Sequence, residues 1–338
     1  MLIRREEPII LAFSEKIDTV KFMIKNYLYS ITLPLFCLII AGCDSGGDKN
    51  SLEAEMQSEQ TKAQEDVDPW EKDGNGVLLS SKWIPGKSYL FRQITDTEMD
   101  LPLAGAGGSS TEMSIDLRVD VDEADDSSNK IIKIGFDKVK MSMQMAGQDM
   151  VYDSQDPENQ SPLLKTALSN LNDQIYEAKF DENNKILSLE GAGDEVGNGI
   201  GIGAMGKEEI ENMIQQLKDF GFPESVVQPN ARWQNKQNFK MQQIGEMNMT
   251  IDYTYNGPVD SSGKKLAEID FEGKAETSGE GLVSFKDSKM TGTLLFDPKL
   301  GMLIKSETKM EMTMSIGGAA GAEMDTTMIS KYNLISVE

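Results

Sequence analysis

The sequence predicts a mainly β protein with a minor α+β character, in which antiparallel sheets in two related halves form a curved or half-barrel-like structure with two short helices. Two observations lead to this class. After Trp83, apolar residues recur at every second position over most of the chain, which is typical of strands with one face in water. Clusters of turn residues such as "DEADDSSN" separate these segments.

The N-terminal segment has the pattern of an export signal. An apolar run at 28–40 follows Lys25, and it is shorter than the roughly 20 apolar residues that cross a bilayer. The run ends in a segment that resembles the lipobox of bacterial lipoprotein signal peptides, formed by Ile40, Ala41, Gly42 and Cys43. This resemblance implies cleavage before Cys43, a diacylglycerol on its sulfur and often a fatty acyl chain, such as palmitate, on its amine.

These patterns set the expected boundaries. Residues 1–22 carry acidic side chains that the start of an export signal lacks, so translation is expected to begin at Met23, with the signal peptide at 23–42. Residues 43–75 are polar and poor in β-branched side chains, which predicts a disordered tether. The β-rich domain is expected at 76–338, with halves at about 76–200 and 229–338 joined by a helix at 207–220.

The two halves share features in the same order. Trp83 corresponds to Trp233 and Phe136 to Phe271, each followed by similar strand patterns. Repetition in one order with unequal gaps indicates duplicated β units rather than a solenoid. An ordinary antiparallel protein also repeats such patterns, and that explanation stays open.

Two segments have helical spacing. The segment 161–173 begins with Ser-Pro and places its leucines on one stripe. The segment 207–221 starts with acidic residues, carries an apolar stripe and ends at Gly221. We expect the second helix to pack across a sheet.

Composition excludes most familiar catalytic chemistry. The 338 residues include no His and only two Cys. Cys37 lies in the predicted signal peptide and the sulfur of Cys43 is expected to carry lipid, so no His- or Cys-based catalysis or metal site is expected. A net charge of -23 repels nucleic acid. The chain is therefore expected to be a non-enzyme without a cofactor or a metal.

Two further motifs have ordinary explanations. The segment "GIGAMG" at 201–206 has the spacing of a dinucleotide-binding loop, but antiparallel strands surround it and Glu208 and Glu209 follow it, so a flexible loop is the better interpretation. Acidic turns at 122–126 and 181–183 offer oxygen ligands for calcium. They lack the spacing of a calcium-binding loop and match ordinary hairpin turns.

Methionines at every second residue give the candidate site. Strand periodicity puts each group on one face of a sheet. Three interpretations remain open: an adaptable apolar core, the lining of an apolar ligand site, or a thioether site for Cu(I). The candidate ligand-lining residues are Met141, Met143, Met145, Met247, Met249, Met310, Met312 and Met314.

Several motifs resemble an uncharacterised family of secreted and lipid-anchored β-rich bacterial proteins. They are the Trp-x-x-Gly-x-x-Tyr-x-Phe of 83–91, "YDS" at 152–154, "FDENNKI" at 180–186 and "FPESVVQPNARW" at 222–233, where Asn230 replaces a usual Gly. The resemblance implies architecture and an envelope location, on the periplasmic side of the inner membrane or at the outer membrane, but no mechanism.

The function expected from these patterns is that of a lipoprotein anchored to a membrane through Cys43. We expect it to bind an apolar or lipid-like ligand in a methionine-lined interior, as half-barrel lipoprotein carriers of similar fold bind acyl chains. A structural or protein-interaction module without a small ligand is the alternative, and Cu(I) binding is a lesser one.

Overall fold

The structure is a computed structural model that describes residues 68–72, 74–100, 108–123, 130–145, 147–168, 175–180, 186–191, 221–241, 245–278, 283–316 and 322–338. The described residues form twelve strands, a 3-10 turn at Pro157–Asn159 and the helix α1 (Pro162–Leu168). The strands are β1 (Lys87–Asp100), β2 (Ser109–Glu123), β3 (Lys130–Met145), β4 (Gln148–Asp153), β5 (Ile175–Phe180), β6 (Ile186–Glu190), β7 (Arg232–Met241), β8 (Gly245–Ser261), β9 (Lys264–Ser278), β10 (Val283–Asp297), β11 (Met302–Ile316) and β12 (Ala322–Val337).

All twelve strands belong to one curved antiparallel sheet that is not closed. Its order is β6-β5-β3-β2-β1-β12-β11-β10-β9-β8-β7, and β4 pairs with β3 beside β5. Most neighbours in this order are consecutive in the chain, whereas β1 pairs with β12. The predicted mainly β, antiparallel and curved fold class is therefore confirmed. The sheets of the two predicted halves join through β1 and β12 into one.

Two turns of the predicted motifs show why their residues are needed. The N–H of Lys87 donates to the carbonyl of Ile84 at 3.2 Å, and Gly86 has φ +75°. Pro85 and Gly86 thus occupy the central positions of a type II turn, the second of which needs a positive φ. Asn230 has φ +69°, a conformation that Asn tolerates better than most other residues. This explains how Asn replaces the Gly expected there.

The sheet buries one face, which we call the inner face. Along β1, Tyr89, Phe91, Thr95, Thr97 and Met99 are each exposed by 2% or less, while the residues between them are more exposed. This alternation follows from the two-residue period of a strand. It shows that the periodicity of the sequence identified the buried side chains.

The opposite, outer face carries cross-strand ion pairs. Arg92 on β1 donates from Nε to Asp116 Oδ1 at 2.6 Å and from Nη2 to Oδ2 at 2.7 Å. Arg118 on β2 and Asp137 on β3 form another such pair, at 2.6 Å. The exposed pair contributes little stability in water. Charge on the outer face leaves the inner face as the place for apolar side chains.

The segment before β1 packs against the C-terminal half of the sheet. Trp70 is 8% exposed and forms a β-bridge with Val77, which bridges Val227 in turn. The Nζ of Lys265 lies 4.0 Å from the ring centroid of Trp70, a cation–π geometry. The folded region therefore begins before residue 76. It includes residues 68–72 and 74–75, which the sequence placed in the tether.

The structure describes part of the predicted helical content. Helix α1 at 162–168 lies within the predicted segment 161–173 and is shorter than predicted. Leu164 and Leu168 are buried, and the hydroxyl of Tyr152 donates to the carbonyl of Leu168 at 3.3 Å. The predicted helix at 207–220 lies outside the described residues.

Candidate functional site

Methionines concentrate at one end of the inner face, the end at which β1 and β11 finish and β2, β10 and β12 begin. All of these side chains are 7% exposed or less. We call this set the methionine patch: Met99, Met113, Met141, Met143, Met247, Met249, Met290, Met310, Met312, Met314, Met324 and Met328.

Seven of the eight predicted ligand-lining methionines belong to the methionine patch, namely Met141, Met143, Met247, Met249, Met310, Met312 and Met314. The side chain of Met145 lies outside the described residues. Whether these side chains line a ligand site or only form a core stays a prediction. Five members of the patch were not among the eight candidate lining residues: Met99, Met113, Met290, Met324 and Met328. Their alternation with buried side chains was the available signal, as for Met99 with Thr95 and Thr97.

Strand register brings the methionines of different strands together. Met310 on β11 pairs with Met290 on β10 and with Met328 on β12. Directly opposed residues have Cβ atoms about 4.5–5.5 Å apart, so three thioethers lie side by side across three strands. Met314 likewise lies between Phe285 and Met324. The sheet therefore gathers methionines that lie far apart in the sequence.

A threonine lies among four of these methionines. Thr326 on β12 pairs with Met312 on one side and Met99 on the other, and Met324 and Met328 are its neighbours on the same face of β12. Its Oγ1 is buried and has no hydrogen-bond partner within the described part of the chain. An unpaired buried hydroxyl costs about 1–3 kcal/mol, and Val would fill the same space without this cost.

A second hydroxyl repeats this feature on β2. Ser109 pairs with Met99 from the side opposite to Thr326. The side chains of Ser109 and Thr326 are each 5% exposed. Ser109 Oγ is also buried without a hydrogen-bond partner among the described residues. Met99 is therefore flanked by two hydroxyls that have no partner among the described residues.

Hydroxyls nearer the middle of the inner face do have partners. Thr95 Oγ1 and Ser330 Oγ lie 2.9 Å apart. The amide of Gln93 donates to both, at 3.3 and 3.4 Å. The fold can therefore satisfy buried hydroxyls on these strands, and Ser109 and Thr326 differ from this pattern.

Away from the methionine patch, two groups of aromatic rings lie among aliphatic side chains of the core. In a first group, the rings of Trp83 and Tyr89 meet edge to face at 5.2 Å, and Phe91 stacks on Tyr332 at 5.2 Å. A second group is formed by residues of β7 to β10 together with Phe222, which precedes β7. We call the two groups together the aromatic clusters: Trp83, Tyr89, Phe91 and Tyr332, and Phe222, Trp233, Tyr253, Phe271 and Phe296.

Burial suppresses tyrosine ionisation in this region. Tyr253 stacks on Trp233 at 5.4 Å, and burial raises the pKa of its hydroxyl far above the ordinary value. Burial also raises the pKa of Tyr255 to about 12, and its hydroxyl donates to the carbonyl of Asn75 at 2.9 Å. Both tyrosines are therefore neutral at physiological pH, and Tyr255 also holds the segment before β1 through its hydrogen bond.

An open groove of about 680 Å³ lies along β7, β8 and β9. Arg232, Asp252 and Asp270 are among the residues that line it. The amide of Gln234 donates to Asp252 at 2.8 Å and that of Asn256 donates to Asp270 at 2.7 Å. These two carboxylates already have partners. Two other lining groups, Trp233 Nε1 and the Tyr253 hydroxyl, are buried without a hydrogen-bond partner among the described residues.

The structure describes only part of the predicted acidic turns, and the Gly-rich loop and the signal segment lie outside it. Among the described residues no group of three or more His, Cys, Asp or Glu side chains is placed to hold a metal ion. Asp122 pairs with Lys133 at 2.7 Å. The rest of the acidic turn at 124–126, the turn at 181–183, the Gly-rich loop at 201–206 and the signal segment with Ile40, Ala41, Gly42 and Cys43 lie outside the described residues. Within the described ranges, the helix is too short to span a bilayer.

Several solved structures resemble the fold of this chain at low sequence identity. No curated protein matches the chain. Among solved structures, lipovitellin, studied for its lipid–protein interactions, is similar at 10% identity with a TM-score of 0.42, over 76% of this chain and 26% of its own. The chain thus spans about a quarter of lipovitellin.

Two further structures show lower similarity. DynF from the dynemicin pathway of Micromonospora chersina has 8% identity and a TM-score of 0.21, with 82% of this chain and 92% of DynF covered. A Bacteroides fragilis protein with a YmcC-like fold has 9% identity and a TM-score of 0.20, with 77% and 98% covered. In sequence, residues 127–220 match a family of unknown function, DUF6263.

Proposed function

We propose that this chain is an envelope lipoprotein that binds an apolar or lipid-like molecule on its inner face. The observation that carries the proposal is the methionine patch, in which twelve buried methionines from both halves of the sheet meet at one end. The proposed role is binding rather than catalysis, in keeping with a chain that has no His and no free thiol beyond the predicted signal and anchor.

The chemistry of methionine supports a binding surface. Its unbranched side chain has three rotatable bonds and a polarisable sulfur, so it adapts to irregular or variable apolar partners. Leu, Ile and Val would give a core with better-defined rotamers. Met310, Met328 and Met290 side by side form a surface that can rearrange around an acyl chain.

The lipobox-like segment supports the envelope location. Cys43 is the proposed site of lipid attachment, and the polar residues after it would hold the sheet away from the bilayer. We expect Cys43→Ala to leave the precursor uncleaved and unlabelled by a radioactive fatty acid. Equal labelling of the variant and the wild type would contradict the anchor.

The ligand proposal is tested on the folded protein without its anchor. Residues 1–43 are replaced by a cleavable secretory signal, so that the mature chain is released and anchor-associated lipid is absent. Organic extraction and mass spectrometry should then find a hydrophobic molecule at near-stoichiometric amount. An empty protein that also fails to bind diphenylhexatriene, an apolar fluorescent probe, would overturn the proposal.

The row Met290, Met310 and Met328 supports Cu(I) as a second candidate ligand, because thioether clusters select this ion. An anaerobic Cu(I) competition titration separates the two candidates. The matched variant carries Leu at 310, 312 and 314, which roughly conserves volume. If the site is apolar, this variant keeps probe binding and the wild type shows no tight copper. Tight copper binding that is lost in the variant would favour the metal site.

A protein-interaction module is the third candidate. Ile175 on β5 is 64% exposed and Leu187 on β6 is 53% exposed, near the open N-terminal edge of the sheet. These side chains give an apolar surface for a protein partner. If neither probe nor copper binds, loss of cross-linked complexes in an Ile175→Ser/Leu187→Ser variant would support this role.

A further inference from the structure

Two hydroxyls interrupt the methionine patch where apolar groups would pack better. Ser109 and Thr326 flank Met99 from the neighbouring strands. Each is 5% exposed, and neither hydroxyl has a hydrogen-bond partner within the described residues. Because Thr326 has methionines on both neighbouring strands and on both sides along β12, a ligand that reaches its hydroxyl also touches the thioethers.

The surroundings indicate what kind of atom would satisfy these hydroxyls. A hydroxyl both donates and accepts one or more hydrogen bonds, so it suits neutral oxygens such as those of an ester or an alcohol. No Lys or Arg is among the buried side chains that the structure describes. A bound carboxylate would therefore lie in the apolar interior without a counter-charge, which is costly.

Spacing points to a headgroup with more than one oxygen. Adjacent strands lie about 4.8 Å apart, and β12, β1 and β2 are consecutive in the sheet. Ser109 and Thr326 are therefore about 10 Å apart at the backbone, and their side chains project from the same face of a curved sheet. A glycerol ester has several oxygens with which to reach them.

We propose that Ser109 and Thr326 hydrogen-bond the neutral headgroup of an acyl ester, with the acyl chain among the methionines. This inference rests on the proposed function and narrows the ligand from any apolar molecule to a neutral amphiphile. The two side chains thus set the position of the headgroup, and the methionine patch accommodates the chain.

Three pyrene probes with ten-carbon chains separate the headgroup from the chain: 1-decylpyrene, 1-pyrenedecanoic acid and its monoglyceride. We expect the wild-type protein, without its anchor, to bind the monoglyceride more tightly than either of the others. Thr326→Val and Ser109→Ala should each weaken monoglyceride binding about threefold to tenfold, as expected for one hydrogen bond. Binding of 1-decylpyrene should stay unchanged.

Stability provides a second readout with the opposite sign. Removing a hydroxyl that has no partner among the described residues should leave the urea midpoint of Thr326→Val equal to or above that of the wild type. The matched control is Thr95→Val on the neighbouring strand, where the hydroxyl is bonded to Ser330. This control should lower the urea midpoint and leave the preference for the monoglyceride intact.

Each result is decisive. Unchanged monoglyceride binding in both variants, or equal weakening of monoglyceride and 1-decylpyrene, would overturn the headgroup assignment while the apolar site stands. Tightest binding of the acid would also overturn it. A wild-type protein that binds none of the probes would instead remove the proposed function itself.

Discussion

The methionine patch and the aromatic clusters lie on one inner face and share strands, but they are built differently. Phe91 on β1 contacts Trp83, Tyr89 and Tyr332 at defined ring geometries. Further along the same face of β1, Met99 lies between two hydroxyls that have no partners among the described residues. Rigid rings fix one packing arrangement, whereas methionines accept several. The comparison predicts that the aromatic region contributes more to stability and that the methionine region can adapt to the proposed ligand.

Replacing three methionines tests this comparison with the largest expected effect. Ser at 310, 312 and 314 removes apolar volume and buries hydroxyls without partners. At about 2 kcal/mol or more for each site, the combined loss approaches the roughly 5–15 kcal/mol that stabilise a typical protein. We expect this variant to be unfolded by circular dichroism. The triple Leu variant, which costs under about 1.5 kcal/mol at each site, should be folded. Unfolding of both would mean that the methionine region is packed as closely as the aromatic one.

Single truncations compare the two regions directly. Phe91→Ala should lower the free energy of unfolding by about 3–5 kcal/mol, because the surrounding rings cannot close the space. Met328→Ala should lie near the lower limit of about 2 kcal/mol, because neighbouring methionines can rearrange into the gap. Urea denaturation measures both. An equal or larger loss for Met328→Ala would contradict the difference in rigidity.

The sequence predicts which face of each strand is buried better than it predicts which strands are paired. Period-two alternation is a local property of the chain, so it is enough to place Met310, Met312 and Met314 on one buried face. Pairing of β1 with β12 joins residues far apart in the chain, such as Thr95 and Ser330, which are 235 positions apart, and no local pattern encodes it. The position of Thr326 among methionines depends on this pairing.

Local sequence patterns also failed to predict where the folded region begins. The segment 43–75 reads as a tether because it is polar overall, yet Trp70 is buried against Lys265, which lies almost 200 residues later in the chain. A single aromatic residue in a polar segment is too weak a signal to predict this contact. Asn230, in contrast, is a departure from a family pattern that its positive φ explains.

The smallest expected effect concerns one hydroxyl in the aromatic clusters. Tyr253 resembles Thr326 in having a buried hydroxyl without a partner among the described residues. Tyr253→Phe should therefore leave the free energy of unfolding at pH 7 equal to that of the wild type or slightly above it. Tyr255→Phe is the matched control, because it loses the bond to Asn75 and should cost about 0.5–1.5 kcal/mol.

The dependence of folding stability on alkaline pH tests the burial of the Tyr253 hydroxyl. Burial raises the folded-state pKa of Tyr253, so the stability from its neutral form is complete below the unfolded pKa of about 10 and is lost as pH rises toward the folded value. Tyr253→Phe has no group to ionise and should lose less stability between about pH 9 and 11 than the wild type does, by up to about 1.4 kcal/mol per pH unit above 10. Urea denaturation at about pH 9 and pH 11 measures this difference.

Unlike Thr326→Val, Tyr253→Phe should leave binding of the pyrene monoglyceride unchanged, because its hydroxyl lies in the packed region. Loss of monoglyceride binding in Tyr253→Phe would extend the ligand site into the aromatic clusters and remove the division of roles between the two regions.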